Sequence, residues 1–347
     1  MTKYFIFPFF LGVFLASCSK DDNPVVQTPP GGIQGLYILN EGVFNRNNAS
    51  LSLYLPDSGR VYADIFKTAT GRDLGDVGQS LTMHFGRLYI VVNNSDKIEV
   101  LDGKTHAAVK TISCPSGASP RYITFGAGSL AYISNLYRNS VSVYDDSTDT
   151  LIMEIPVGNN PEQILFADGK IFVANSGFGN GRTISVIDPT SNTVVKTLGV
   201  SDSPVSIEPL SVGTALVLCT GAYNNFQDTT DDTPGKLFWI NTATQAVIDS
   251  LTLGGHPSRL TIDGSNRCYT VQADGIQRIN LSDKTIVSRF IPGYFYSILA
   301  DSKRGRLYLT RPLDYTQPGK LDMYDMQGNA LESQTVGVIP GYMLLAQ

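Results

Sequence analysis

Internal repetition sets what this chain can become. Gln79 to Ile112, QSLTMHFGRLYIVVNNSDKIEVLDGKTHAAVKTI, reads as one complete unit of four short strands, and much of the remaining sequence is variants of it. Ser80 to His84 is the first strand and Phe85-Gly86 the turn; Leu88 to Val92 is an unbroken apolar run suited to a strand covered on both faces. Ile98 to Leu101 is the third strand, Asp102 to Thr105 a tight turn, and Ala108 to Ile112 a more polar outer strand. A sheet this small cannot bury both its faces alone, so it must stack on copies of itself.

The copies are marked by an apolar pair in the second strand: Leu36-Tyr37, Leu88-Tyr89, Ala131-Tyr132, Ile171-Phe172, Leu216-Val217, Cys268-Tyr269 and Leu307-Tyr308, spaced 39 to 52 residues apart. A proline precedes most inner strands, at Pro120, Pro161, Pro204, Pro257, Pro292 and Pro340. Four-stranded repeats of this length predict an all-β fold, a seven-bladed β-propeller. The first unit starts at Leu36 with a second-type strand, while Tyr342 to Ala346 is an inner strand with no blade after it. Pairing the two completes the first blade with the C-terminal strand and removes the exposed edges of an open array.

At 347 residues and 42% hydrophobic content there is room for two ordinary domains or one large one, and the uniform repeat favours one, over 35–347. Charged residues make up only 16% and the formal net charge is -5, which argues against nucleic acid as a partner. Lys3 followed by the apolar stretch Tyr4 to Ala16 reads as a signal peptide over 1–17. Leu15-Ala16-Ser17-Cys18 resembles a bacterial lipobox, which implies lipidation of Cys18 and attachment to a membrane through the lipid anchor alone. Ser19-Lys20-Asp21-Asp22 resembles the acidic signal that sends lipoproteins of Bacteroidota to the outer face of the outer membrane; a solvated linker on a protein facing the periplasm is the alternative. The lipidated cysteine and a Pro/Gly tether, NPVVQTPPGG, occupy 18–34. Cys114, Cys219 and Cys268 are scattered in or beside apolar strands and read as buried small residues, not as a disulfide framework.

The repeat sorts the loops into two sets. Turns between first and second strands and between third and fourth strands are short and rich in Asp, Asn and Gly, which is structural punctuation. The opposite face receives longer, variable connections, and these are where binding residues on a rigid scaffold collect. They place Arg46, Tyr137, Arg138, Phe178, Arg182, Tyr223, Phe226, Arg311 and Tyr315 around one rim, and the starts of the inner strands place Gln79, Arg121, Tyr122, Glu162, Gln163, Arg259, Tyr296 and Tyr342 near the axis. Tyr and Arg give large amphipathic contact area at low entropic cost, so this face suits a large polar organic ligand or a protein partner. Replacing Arg121, Arg259 and Tyr296 by Ala is expected to weaken binding with little loss of stability.

No catalytic motif is present: no HExxH, paired CxxC, GxSxG or Walker loop, and Gly177 to Gly181 lacks the GxGxxG spacing. The three histidines, His84, His106 and His256, fall on diverging positions, so no histidine metal centre and no cofactor is expected. Asp228, Asp231 and Asp232 read as a solvated acidic loop, with Ca²⁺ as the alternative. An axial carboxylate site of the kind propeller lactonases and lyases use needs several acids; among the inner-strand starts only Glu162 is acidic, with Asp73 and Asp76 nearby.

The pattern of second-strand LY or IF, then Asn, a VSV-D third strand and a VG-xx-P ending is clearest in IFVANSGFGNGRTISVIDPTSNTVVKTLGV and resembles the YncE-like seven-bladed propellers. The lipoprotein leader, LYILNEG at Leu36 to Gly42 and DLGDVGQSL at Asp73 to Leu81 resemble the surface-exposed cobalamin-binding propeller lipoproteins of gut Bacteroidota. That resemblance implies capture of cobalamin or another corrinoid on one face, transfer to a TonB-dependent outer-membrane transporter, a monomer apart from that transporter, and no catalysis. A protein-interaction or surface-assembly propeller and a metal-dependent lactonase or lyase are the alternatives.

Overall fold

The computed structural model describes residues 35–223, 232–264 and 266–346. These form seven four-stranded antiparallel sheets, each ordered inner, second, third, outer, in the seven-bladed propeller expected from the repeats. The inner strands are Pro340–Leu345 for blade 1, then Gly78–His84, Pro120–Phe125, Pro161–Ala167, Pro204–Ser211, Leu260–Ile262 and Ser297–Asp301 for blades 2 to 7. Blade 1 is closed as anticipated: Leu36 to Leu39 pair with Leu345 to Tyr342, so the last strand of the chain lies beside the first. The second strands are buried almost throughout, as their apolar runs require, whereas the outer strands are largely exposed.

The repeated residues have specific jobs. Three of the marker tyrosines send their hydroxyls across the seam to the next blade's third-to-fourth turn, whereas Tyr269 donates to Asp263 of its own blade at 3.2 Å. Tyr37 reaches His106 Nε2 of blade 2 at 2.8 Å, Tyr89 reaches Asp146 of blade 3 at 3.5 Å, and Tyr132 donates to Asn192 Oδ1 of blade 4 at 3.2 Å. The Asn that ends the second strand ties it to the third. Asn40, Asn135 and Asn175 donate from Nδ2 to paired hydroxyls, Ser50 and Ser52, Ser140 and Ser142, Thr183 and Ser185. The glycine of the VG-xx-P ending makes room for the asparagine of the next blade: a Cβ at Gly158 would stand 2.6 Å from Asn175 Cγ, and one at Gly337 would stand 2.5 Å from Asn40 Cγ.

The short turns hold themselves together as expected. Asp102, Asp145 and Asp188 each accept the backbone N–H two residues ahead, at 2.9 to 3.0 Å. Cys114, Cys219 and Cys268 are free and buried. The connection from blade 1 to blade 2 contains a one-and-a-half-turn helix, Ile65–Thr70, capped by Asp64 and ended by Gly71, which the sequence pattern did not disclose; it buries Ile65 and Phe66.

Replacing Gly158 by Ala forces a methyl into Asn175 and is expected to lower stability by about 1 to 3 kcal/mol. At Gly199 nothing lies within 4 Å of the added Cβ, and the same change is expected to alter stability by less than about 0.5 kcal/mol. Thermal and denaturant unfolding of the two variants measure the difference.

Candidate functional site

The inner strands of blades 2 to 5 each begin with a register shift against the second strand, between Gly78 and Ser80, Pro120 and Ile123, Pro161 and Ile164, and Pro204 and Ser206. Such a bulge breaks the alternation of a strand and lets consecutive side chains turn the same way. Arg121 with Tyr122, and Glu162 with Gln163, therefore both line one cavity on the axis. The residue ahead of several of these strands has a left-handed backbone, at Val77, Ser119, Asn160, Ser203 and Ile339, which turns the chain sharply inward.

The cavity has a volume of about 1150 Å³ and is walled by inner strands of six blades. It opens on the face that carries the variable loops, where Phe178, Tyr223 and His256 form part of its rim. Arg259, Tyr296 and Tyr342 complete the wall together with Ser206, Glu208 and Phe295.

A belt of polar contacts runs around the mouth from blade to blade. Arg121 of blade 3 donates to Gln79 of blade 2 and, from Nε, to Glu162 Oε2 of blade 4 at 2.7 Å. Gln163 of blade 4 donates to Glu208 Oε1 of blade 5 at 2.8 Å. Arg259 of blade 6 reaches across the axis to the Tyr122 hydroxyl at 3.4 Å and faces Glu41 of blade 1 at 4.0 Å, while Tyr296 of blade 7 donates to Glu41 Oε2 at 3.1 Å. Tyr122 and Tyr342 meet edge to face with ring centres 6.1 Å apart.

The electrostatics follow from burial and pairing. Burial pushes the Glu41 carboxyl above its ordinary range, against the pull of Arg259, the Tyr296 hydrogen bond and Arg121. Burial pushes Glu208 up to about 7, opposed only by the hydrogen bond from Gln163. Tyr342 is raised by burial and by the nearby Tyr122 and Glu208, and Tyr296 by burial and Glu41.

Several residues anticipated on the rim are placed elsewhere. Arg138 turns outward to pair with Glu154 of its own outer strand at 2.8 Å; Arg182 is engaged by Asp202, and Arg311 by Asp322 of the third strand of blade 7. Arg46 is exposed away from the cavity wall. Long loops gave these arginines local acidic partners that spacing alone does not reveal. Tyr137 is 64% exposed and meets Phe178, 60% exposed, at 6.0 Å; Tyr315 stands behind the wall against Tyr296 and Tyr294. Phe226, Asp228 and Asp231 lie outside the described residues, as does Cys18.

The expectation that Glu162 is the one acid at the axis is corrected: Glu208 also lines the cavity, and Glu41 lies just behind its wall, bonded to Tyr296. Glu41 is the first residue after a second strand and packs against Gly341, where a Cβ would stand 2.1 Å from its Oε1. Glu208 is the fifth residue of its strand, deeper than a search of strand starts could find. Asp73 instead pairs with Lys67 at 2.7 Å in the open, and Asp76 accepts from Asn94 at 2.8 Å. Among the described residues no three His, Cys, Asp or Glu side chains group as metal ligands. The pairing also corrects the expected harmlessness of alanine at Arg121 and Arg259: each change strands a largely buried glutamate, and removing one partner of a buried pair costs stability.

The fold and the cavity define a seven-bladed propeller with a closed ring and one large axial pocket on its variable face. The chain belongs to the family described as "Domain of unknown function (DUF5074)", whose profile matches residues 34–208. A comparison with curated proteins gives no match. Solved structures with the same fold include a quinonprotein alcohol dehydrogenase-like protein from Bacteroides thetaiotaomicron, with TM-score 0.71 and 13% identity over 90% of this chain and 79% of that one. Apo AztD from Citrobacter koseri gives 0.58 and 11% over 90% and 98%, and hydrazine synthase from Kuenenia stuttgartiensis 0.58 and 17% over 76% and 88%. At these identities the likeness is one of fold.

Glu208 supplies a test of the site's electrostatics. A carboxyl whose folded pKa is raised favours folding while both states are protonated and loses that advantage as pH rises through about 7. Glu208→Gln is expected to be more stable than the parent protein at about pH 8, by on the order of 1 to 3 kcal/mol, and equal to it at about pH 4. Denaturant titrations at the two pH values give the comparison.

Proposed function

We propose that this chain is a non-catalytic capture protein that holds a large polar organic molecule, with cobalamin or another corrinoid as the leading ligand, in the axial cavity. The observation that carries this reading is the cavity itself, preformed, about 1150 Å³, and walled by tyrosines, arginines and amides. Sites for small molecules occupy roughly 300 to 1000 Å³, so a space of this size suits a ligand at the large end. Tyr122, Tyr296 and Tyr342 offer flat apolar surface with a polar tip. Both cavity arginines already face carboxylates, which favours a ligand whose polarity is spread over neutral amides above one with dense negative charge.

In this proposal Cys18 carries the lipid anchor, the tether holds the propeller off the outer membrane, and a TonB-dependent transporter receives the ligand. The resemblance of the leader and of LYILNEG supports that assignment. A second reading, a protein-interaction propeller, draws on the exposed rings of Phe44, Tyr137, Tyr294 and Tyr315, since aromatic residues dominate protein contacts.

Soluble protein starting at Gly31 is expected to co-elute with cyanocobalamin or cobinamide on size exclusion at micromolar concentration. Phe178→Ala and Tyr223→Ala, at exposed rim positions, are expected to weaken binding about 5- to 30-fold each with an unchanged melting transition. Absence of co-elution by the parent protein removes the corrinoid assignment. For the anchor, Cys18→Ser is expected to abolish labelling by radioactive palmitate and to release the protein from the membrane fraction; retention of label in the variant refutes lipidation at Cys18.

A further inference from the structure

Two glutamates, Glu162 and Glu208, line the cavity and a third, Glu41, stands behind its wall against Arg259 and Tyr296; they are not equivalent. Glu162 is paired with Arg121 and Glu41 with Arg259. Glu208 has no Lys, Arg or His within ion-pair distance among the described residues. Its surroundings are nonetheless built. Gln163 Oε1 accepts from Ser206 Oγ at 2.6 Å and from the Ile207 backbone N–H at 3.3 Å, which fixes the amide so that its Nε2 donates to Glu208 Oε1. The second carboxylate oxygen is left facing the cavity with no hydrogen-bond partner among the described residues. Tyr122 and Tyr342 stand close enough for the charge of Glu208 to bear on both.

Glu208 is partly exposed to the cavity, so water can meet its free oxygen, and a ligand that displaces this water must replace the lost donor. The arginines of the mouth cannot supply that donor, because they are engaged by the other two glutamates. We propose that Glu208 is the anchor that orients the bound molecule: its free oxygen accepts an N–H donor from the ligand, either a neutral carboxamide of the kind found on the corrin periphery or a protonated amine. The inference rests on the reading of the cavity as a capture site. An amine gains further from the two tyrosine rings beside the carboxylate.

The test uses the soluble propeller with two probes, cyanocobalamin as the carboxamide source and spermine as the amine source, in calorimetric titrations of the parent protein, Glu208→Ala and Glu208→Gln. Both substitutions are expected to weaken binding of the recognised probe at least about tenfold, the value of a hydrogen bond to a charged acceptor, while the variants keep a cooperative melting transition. Parent affinity is expected to fall as pH drops from about 8 to about 6, and Glu208→Gln to lose that dependence. The other titratable and charged groups around this space are Tyr122 and Tyr342 beside Glu208, Arg121, Arg259 and Glu162 in the wall, Glu41 behind Arg259 and Tyr296, and Asp232 with His256 at the rim; His256→Gln is the control for the rim histidine. If cyanocobalamin binds the parent and both variants equally, the anchor is overturned while the capture reading stands. If spermine alone binds and both variants lose it, the anchor stands and the corrinoid assignment falls. If neither probe binds the parent, both are overturned.

Discussion

The ring is held shut by the pairing of Leu36–Asn40 with Pro340–Leu345, and every other element keeps its place through that closure. Leu36 to Leu39 are fully buried, and without a neighbour on that side the strand is an apolar edge with unpaired backbone groups. Closure also fixes the circumference of the ring and hence the width of the space on its axis. The closing strand shapes that space directly: Tyr342 stands in the wall, and Gly341 leaves the room that Glu41 occupies. Stability and site are therefore built by the same short strand.

Around the axis, burial of polar groups is made tolerable by pairing. Arg121 and Arg259 are held by glutamates from other blades, and the contacts Gln79 to Arg121 to Glu162, Gln163 to Glu208, and Tyr122 to Arg259 to Glu41 to Tyr296 link all seven blades. Such pairs contribute little net stability but are costly to break singly, so the belt acts chiefly to fix positions. Glu208 departs from the pattern. It lines the cavity with an amide and no cation as its partner, and burial raises its pKa; groups perturbed in this way cluster where a protein meets a ligand.

Much of the fold was legible because a repeat states its pattern several times over. The seven pairs from Leu36-Tyr37 to Leu307-Tyr308 need not each be clear when Leu88-Tyr89 and Ile171-Phe172 are. The Asn and Gly of the repeat were visible as a pattern, but their purpose, Gly158 clearing space for Asn175 of the following blade, required coordinates. The near-axis positions were found in part: Arg121, Tyr122, Glu162, Gln163, Arg259, Tyr296 and Tyr342 do share the cavity. The outer arginines did not join them, because Glu154, Asp202 and Asp322 hold Arg138, Arg182 and Arg311.

The number of blades, the way the ring closes and the face on which irregular loops collect all follow from periodicity and strand count, so the order of residues was enough to read them. Which side chains converge was settled by the folded ring. Bulges at the starts of inner strands turn two consecutive residues toward the axis, where simple alternation sends one away. Charge partners such as Arg259 and Glu41 come from distant parts of the chain and meet only once the ring is shut. The physical reason is that periodicity is a local property of the backbone, whereas pairing across an axis depends on distances that closure alone establishes.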